Sequence, residues 1–301
     1  MNDAGLLELL GYLKRHGYRF HAVTPATHAR VLARDANDPP NLRDVFGWNR
    51  SFRADAVEPE LLGLMNRAGI VEEGWRGLRS ALRVASLSDD LFFHSAYPTD
   101  EPKAVFFGPD TYRFARFIRE RWPENARHVV DMGAGSGAGG IVAGRLAPEA
   151  VITLTDVNPI ALRLARVNAQ AAGVAAELRQ DDAVPPGADV MIANPPYMMD
   201  SRRRAYRDGG DLFGGALALG WTQQALASLA AGGTLLLYTG AAVVDGAAPL
   251  VSALQAACEQ AGASCRIEEL DPDVFGEELE QPAYAEVERI AAIGAVIRVR
   301  A

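Results

Sequence analysis

The sequence predicts an α/β protein whose main part is a doubly wound, mostly parallel seven-stranded sheet. Two observations support this prediction: short apolar runs alternate with helical patterns from His128 onward, and residues 1–100 lack that alternation. The chain has 301 residues, which is enough for two domains of ordinary size. We therefore predict a small α+β accessory domain over residues 1–100 and the sheet domain over residues 101–301.

The accessory domain is predicted to hold three helices followed by a hairpin. A leucine-rich stripe begins after Asp3, the expected N-cap, and stops at Gly17, which indicates a first helix. Thr24-Pro25 has the residue types of an N-cap and a first-turn proline, and a third helix is expected over about residues 58–68. A hairpin is expected over 81–94. This order is winged-helix-like and leaves two roles open: docking of a substrate or nucleic acid, or a cap packed on the sheet domain.

The sheet domain is predicted to open with a helix over Asp110–Arg121 and to contain five strands, with two more near its end. The last strand is expected to be antiparallel at the end of the sheet. The expected strands are His128–Asp131, Val151–Thr155, Ala176–Arg179, Val190–Ala193, Thr234–Tyr238, Ser264–Leu270 and Ala291–Val299.

Composition excludes several classes of protein. Hydrophobic residues make up 49% of the chain and charged residues 23%, as in soluble globular proteins. Cys258 and Cys265 are too few for a disulfide framework, and no unbroken apolar run could span a membrane; we expect a cytoplasmic protein. The net charge of −8 argues against a protein that wraps long nucleic acids on a basic surface. The five histidines lack ligand-like spacing, so no metal is predicted.

A glycine-rich turn follows the first strand of the predicted sheet. Asp131-Met-Gly-Ala-Gly-Ser-Gly137 lies between a buried strand and a helix, the context in which a backbone approaches a nucleotide cofactor closely. Residues 135–140 also satisfy the GxGxxG pattern of dinucleotide-binding proteins, and Asp156 after the next strand suits ribose hydroxyls in either case. The glycines therefore leave open both an NAD(P)-dependent oxidoreductase and another adenosine cofactor.

A four-residue motif, Asn194-Pro195-Pro196-Tyr197, ends the fourth strand of the predicted sheet. Together with the glycine-rich turn and Asp156, it resembles the class I S-adenosylmethionine-dependent methyltransferases that modify planar amino or amide nitrogens. The resemblance covers about residues 105–240. It implies S-adenosylmethionine as the cofactor, held by Asp131, Gly133, Ala134, Gly135, Gly137, Thr111, Asp156, Val157, Asn194 and, at the adenine, Asp182 with Asp181 as the fallback.

The resemblance assigns the chemistry to the Asn-Pro-Pro-Tyr motif. The lone pair of an amide or exocyclic amino nitrogen is delocalised, which makes the nitrogen a poor nucleophile. We expect the Asn194 side-chain oxygen and the Pro195 carbonyl to accept its two N–H bonds and to favour a pyramidal lone pair. Pro196 completes the turn, and Tyr197 is expected to stack on the planar substrate group.

Two neighbouring segments bear on the substrate. Phe106–Tyr112 resembles the segment before the cofactor loop of protein-glutamine N5-methyltransferases in its Pro, Asp and Thr, but Gly108 replaces an Arg and Tyr112 a Glu. A cationic run after the motif is expected to bind substrate through phosphates, stacking or an acidic protein surface; the alternative is a solvated loop. Its predicted substrate-binding residues are Arg202, Arg203, Arg204, Tyr206 and Arg207.

The sequence thus predicts an N-methyltransferase with a slight preference for a glutamine side chain of a translation protein. The alternative acceptor is an exocyclic amino group in rRNA, tRNA or DNA, reached in an unpaired or flipped base. Two other classes stay open: an NAD(P)-dependent oxidoreductase and a non-enzymatic RNA-binding protein. Residues 272–289 carry no functional motif.

Overall fold

The computed structural model of the protein describes residues 1–36, 39–74, 76–124 and 126–300. The N-terminal region contains three α-helices, a short π-helix at Arg43–Gly47 and two antiparallel hairpins. The helices are α1 (Asp3–Arg15), α2 (Pro25–Leu32) and α3 (Pro59–Ala68), and the strands are β1 (Val71–Gly74), β2 (Gly77–Ser80), β3 (Leu82–Leu87) and β4 (Asp90–Ser95).

The helices of this region begin and end close to the predicted residues, although the cap of α1 differs. Thr24 caps α2 ahead of Pro25, and Gly69 ends α3 in the left-handed conformation. The cap of α1 is Asn2 rather than Asp3, because the Asp3 carboxylate is bonded to Arg163 and Arg166 of the sheet domain. The β1–β2 hairpin was not predicted, since each strand has only four residues and neither carries apolar alternation; β1 is largely exposed and β2 is half-buried.

The sheet domain is built on a seven-stranded, mostly parallel sheet with helices around it. Its strands are β5 (His128–Met132), β6 (Val151–Thr155), β7 (Glu177–Arg179), β8 (Ala188–Ala193), β9 (Leu229–Val243), β10 (Ser264–Asp271) and β11 (Arg289–Arg298). Its helices are α4 (Pro109–Arg121), α5 (Ala138–Leu146), α6 (Pro159–Ala172), α7 (Ala216–Ser228) and α8 (Pro249–Gln260).

The strand order is β10-β11-β9-β8-β5-β6-β7. Strands β5 to β9 run parallel to one another, and β11 lies antiparallel between β9 and β10. The last strand is thus antiparallel as predicted, but β10 and not β11 lies at the end of the sheet. The predicted doubly wound sheet is therefore confirmed. Met132 at the end of β5 pairs with Thr155 of β6 on one side and Ala193 of β8 on the other, so the glycine-rich turn, Asp156 and Asn194 all leave the sheet at one edge.

The N-terminal region packs against α6 of the sheet domain. Its apolar core includes Leu164 and Val167 of that helix. The buried Asn168 side chain accepts a hydrogen bond from the Phe93 N–H at 2.9 Å and donates one to the Phe93 carbonyl at 3.1 Å. This pair of bonds to β4 fixes the hairpin to α6. The domain boundary at residue 100 and the winged-helix-like interpretation stay predictions.

Across the residues that the structure describes, α-helices are too short or too polar to form a membrane span.

Candidate active site at the carboxyl edge of the sheet

A cavity of about 420 Å³ lies at the carboxyl ends of β5, β6 and β8. Most of the predicted cofactor residues line it, together with part of the Asn-Pro-Pro-Tyr motif and two residues of the cationic run. The predicted residues that line it are Thr111, Asp131, Gly133, Ala134, Gly135, Asp156, Val157, Asp181, Asp182, Asn194, Pro196, Arg203 and Tyr206.

The glycine loop, residues 131–137, forms one wall through its backbone. Gly133 and Gly135 have φ of +63° and +55°, a left-handed conformation that glycine adopts without strain. A Cβ atom on Gly133 would lie 2.3 Å from the Trp221 ring, so the loop approaches that ring as closely as a bare backbone allows. Gly137, at the start of α5, has φ of +79° and packs on Ala165 of α6. It does not line the cavity.

Asp131 places a buried carboxyl group beneath the glycine loop. Its Oδ2 accepts the Gly140 N–H at 2.7 Å. Burial raises its pKa to about 7, the Gly140 bond opposes that shift, and the nearby Asp156 adds to it. The side chain carries no ion pair among the described residues, so it is suited to a cationic ligand group.

Asp156 joins the glycine loop to the end of β6. Its Oδ2 accepts the Gly135 N–H at 2.9 Å and its Oδ1 accepts the Asn158 N–H at 2.8 Å. Burial raises its pKa, and these two bonds oppose the shift. Beside it, Val157 is 55% exposed and lines the cavity, which leaves an apolar surface for a planar ring.

The Asn-Pro-Pro-Tyr motif divides between the cavity and the protein interior. Asn194 and Pro196 line the cavity, whereas Pro195 and Tyr197 do not. Among the described residues, no side-chain hydrogen bond holds the Asn194 amide. The Tyr197 ring is buried, and its hydroxyl donates to Asp110 of α4.

The acceptor loop, residues 198–208, holds the four arginines predicted to bind substrate, and these differ in whether they form ion pairs. Arg204 forms a two-bond pair with Asp200, and Arg207 pairs with Glu278. The Arg204 bonds lower the pKa of Asp200 to about 2. Arg202 and Arg203 are exposed and lack an ion pair within the described part of the chain, and Arg203 also lines the cavity.

The remaining contacts of the acceptor loop come from distant parts of the chain. The Tyr206 hydroxyl donates to the Thr99 carbonyl, in the segment that follows β4. The C-terminal strap, residues 272–289, lies on the other side, where the Tyr284 hydroxyl accepts the Met199 N–H at 2.8 Å. The Phe275 ring meets the Tyr197 ring edge-on at 6.1 Å between centroids. The strap, which has no motif, thus supports the acceptor loop from behind.

Sequence reasoning missed the apolar part of the cavity. Phe106, Phe114, Leu217 and Trp221 line it, and each lies in a helix or connecting segment where an apolar residue is equally typical of a core. The signal available was the resemblance at Phe106–Tyr112, which brings that segment next to the cofactor loop. Trp221 had no such signal, because its position follows only from the packing of α7 on Gly133.

Residues 111–240 match the methyltransferase small domain family. The seven-stranded sheet and this match support a class I methyltransferase fold for the sheet domain. The family match also supports the predicted cofactor, S-adenosylmethionine.

Individual relatives are similar over part of this domain. A release factor glutamine methyltransferase from Neisseria gonorrhoeae is 31% identical over 112 residues, which are 35% of this chain and 41% of the relative. A ribosomal RNA large subunit methyltransferase G from Vibrio vulnificus is 33% identical over 102 residues, which are 31% of this chain and 27% of the relative. The chain thus matches less than half the length of either relative.

A solved structure shares the fold of most of the chain. The candidate transferase from Pyrococcus horikoshii superposes with a TM-score of 0.50 at 11% identity, covering 80% of this chain and 83% of that chain.

The residues of the cavity fit S-adenosylmethionine. Its cationic methionine part would meet Asp131, its ribose hydroxyls would meet Asp156, and the bare backbone at Gly133 and Gly135 leaves room that a Cβ would narrow. Val157 offers an apolar face for the adenine ring. In the described residues, His, Cys, Asp and Glu side chains form no group of three or more that could hold a metal ion.

Proposed function

We propose that the protein is an S-adenosylmethionine-dependent N-methyltransferase acting on a planar amide or amino nitrogen. One observation carries the proposal: Asn194, whose side-chain amide has no protein hydrogen-bond partner among the described residues, faces the same cavity as the glycine loop and Asp156. An unpaired amide beside a cofactor cradle is suited to binding a substrate N–H group.

The glycine loop and Asp156 hold the cofactor in this proposal. Asp131 binds the methionine part, the Asp156 carboxylate accepts the ribose hydroxyls with lone pairs not used by Gly135 and Asn158, and Asp182 accepts the adenine amino group. Asp182 is exposed at the cavity, and Asp181 lies next to it with Oδ1 bonded to the Ala183 N–H at 2.9 Å. When bound, the cofactor supplies an electrophilic methyl group.

The Asn-Pro-Pro-Tyr motif prepares the nitrogen. The Asn194 Oδ1 and the Pro195 carbonyl accept hydrogen bonds from the two N–H groups of the substrate nitrogen, which fixes the nitrogen and favours a pyramidal lone pair. The Tyr197 ring is buried with its hydroxyl on Asp110, so we assign the predicted stacking role to other rings. Phe106 and Tyr206, which line the cavity, are the aromatic rings already available to a planar substrate group.

The acceptor we favour is a glutamine side chain of a translation protein. The release factor glutamine methyltransferases among the relatives support this choice, as does Pro109-Asp110-Thr111, where Thr111 lines the cavity. A second candidate is an exocyclic amino group of RNA, favoured by the exposed Arg202 and Arg203 and by the ribosomal RNA methyltransferase relative.

Transfer of labelled methyl from S-adenosylmethionine tests both acceptors at once. Purified protein is added to an extract of ribosomes and soluble proteins, and parallel samples are then digested with protease or nuclease. Label released by protease supports the glutamine acceptor, and label released by nuclease supports the RNA acceptor. The Asn194→Ala variant is the control, because it removes the proposed amide contact. Absence of transfer by protein that binds S-adenosylhomocysteine would overturn both acceptors.

A further inference from the structure

Tyr197 is enclosed on every side by the protein. A Cβ on Gly240 would lie 2.2 Å from its ring, one on Gly209 would lie 2.7 Å from its Cα, and one on Gly214 would lie 2.2 Å from its carbonyl oxygen. Three glycines from β9 and the segment after the acceptor loop thus pack against this one residue. Such close backbone approach leaves the side chain one orientation, with its hydroxyl directed toward α4.

That hydroxyl meets a buried carboxylate that a second phenol and a guanidinium also contact. Asp110 is 3% exposed. Its Oδ2 accepts the Tyr197 hydroxyl, and its Oδ1 accepts the Tyr238 hydroxyl at 2.7 Å and lies 3.2 Å from Arg113 Nη1. Two phenols on one buried carboxylate form a network whose members are all satisfied, which makes the geometry specific.

We propose that Asp110 is a positioning residue that fixes the Asn194–Tyr197 turn from beneath through its hydrogen bond from Tyr197. The inference rests on the proposed function of Asn194. Asp110 lies one residue before Thr111, which lines the cavity, but its own side chain does not line it. Its effect on the acceptor site is therefore indirect.

The turn needs such an anchor because of its composition. Ala193 is held by its pairing with Met132 and Leu237 in the sheet, whereas Pro195 and Pro196 have no N–H to donate. Asn194 is thus supported on one side by the sheet and on the other through the tyrosine after the two prolines. Misplacement of a reacting group by about 1 Å can cost about 100-fold in rate, so a turn that moves when the tyrosine anchor is lost should transfer methyl slowly.

Hydrogen–deuterium exchange tests the anchor without any assay of activity. Asp110→Asn and Tyr197→Phe should each raise the exchange rate of peptides spanning residues 197–204 by about tenfold, as expected for loss of one charge-assisted hydrogen bond. Tyr238→Phe is the matched comparison, since it removes the same kind of bond from the same carboxylate but lies outside the turn. It should change the rate by less than about threefold. Equal rates in Asp110→Asn and the wild type would overturn the proposal.

Methyl transfer then separates positioning from general stability. We expect Asp110→Asn and Tyr197→Phe to lower kcat about 10- to 100-fold while the affinity for S-adenosylhomocysteine is kept. The double variant should be no slower than the slower single variant, because both act through one bond. Additive losses would overturn the proposal. Should Asp110→Asn fail to fold, Tyr197→Phe, which removes a single oxygen, carries the test. If the variants exchange faster but the wild type transfers no methyl, the anchor is supported and the proposed function is overturned.

Discussion

The two halves of the cavity are built in different ways. The cofactor half consists of short segments that follow β5, β6 and β7. Its hydrogen bonds join adjacent segments, as those from the Gly135 and Asn158 N–H groups to Asp156 do. The acceptor half depends on parts of the chain that are far apart in sequence: α4 beneath Tyr197, Thr99 beside Tyr206 and the C-terminal strap behind Met199.

Residues of the acceptor half can therefore vary while the cofactor half keeps the same chemistry. The cofactor needs the strand ends and a glycine loop, which neighbouring strands of the sheet bring to one edge. A particular acceptor needs a surface assembled by the accessory region and the strap. Substitutions in the two halves should therefore separate cleanly into effects on cofactor binding and effects on the acceptor.

The largest expected effect is on the acceptor side. Asn194→Ala should lower methyl transfer about 1,000-fold, because it removes one preorganised contact to the reacting nitrogen. Its affinity for S-adenosylhomocysteine, measured by calorimetry, should stay within about threefold of the wild type. If Asn194→Ala lost cofactor binding but transferred methyl at the wild-type rate once the cofactor was bound, the division of the cavity into two halves would be contradicted.

The next effect concerns the buried acid of the cofactor half. Burial raises the pKa of Asp131 from 3.8 to about 7, because the ionised carboxylate is disfavoured in the interior. The neutral carboxyl group therefore contributes to the free energy of unfolding below about pH 4, and this contribution is lost as the pH rises through 7. In the ligand-free protein, Asp131→Asn should remove this loss, amounting to at most about 4 kcal/mol. Urea unfolding of both proteins at pH 5 and pH 8 measures the difference, and equal pH dependence would contradict it.

On the cofactor side, Asp156→Asn should weaken S-adenosylhomocysteine binding about 10- to 100-fold, because a hydrogen bond to a charged group contributes about 1.5 to 3 kcal/mol. The KM of the acceptor should not change. Asp182→Asn, with Asp181→Asn as its comparison, then identifies the residue that meets the adenine: the variant with the weaker binding is the contact.

The smallest effect should come from the strap. Glu278→Gln removes the ion pair with Arg207 and should raise the KM of the acceptor about three- to tenfold, as expected for a partly buried pair. Its exposed neighbour Glu277 gives a matched control in Glu277→Gln. A change in cofactor affinity in Glu278→Gln alone would show that the strap supports both halves.

Much of the cofactor half, and Asn194 of the acceptor half, could be predicted from the sequence. Asp131, the glycine loop, Asp156 and Asn194 each end or follow an apolar strand, and parallel strands bring their carboxyl ends to one edge. The neighbouring residues could not be predicted in the same way. Trp221 and Phe106 line the cavity because helix α7 and the segment before α4 pack there, which no local pattern encodes.

Local patterns in the sequence account for the alternation of strands and helices, the cofactor edge and the turn that carries Asn194, since periodicity and turn residues act over a few positions. Which arginines of the acceptor loop stay unpaired depends on the packed fold, because Glu278 and Asp100 reach Arg207 and Arg204 from regions about 70 and 100 residues away in the chain. The packed fold also places the Tyr197 hydroxyl on Asp110. The physical reason is that burial and pairing of a charge depend on everything packed around it, and those neighbours come from the whole fold.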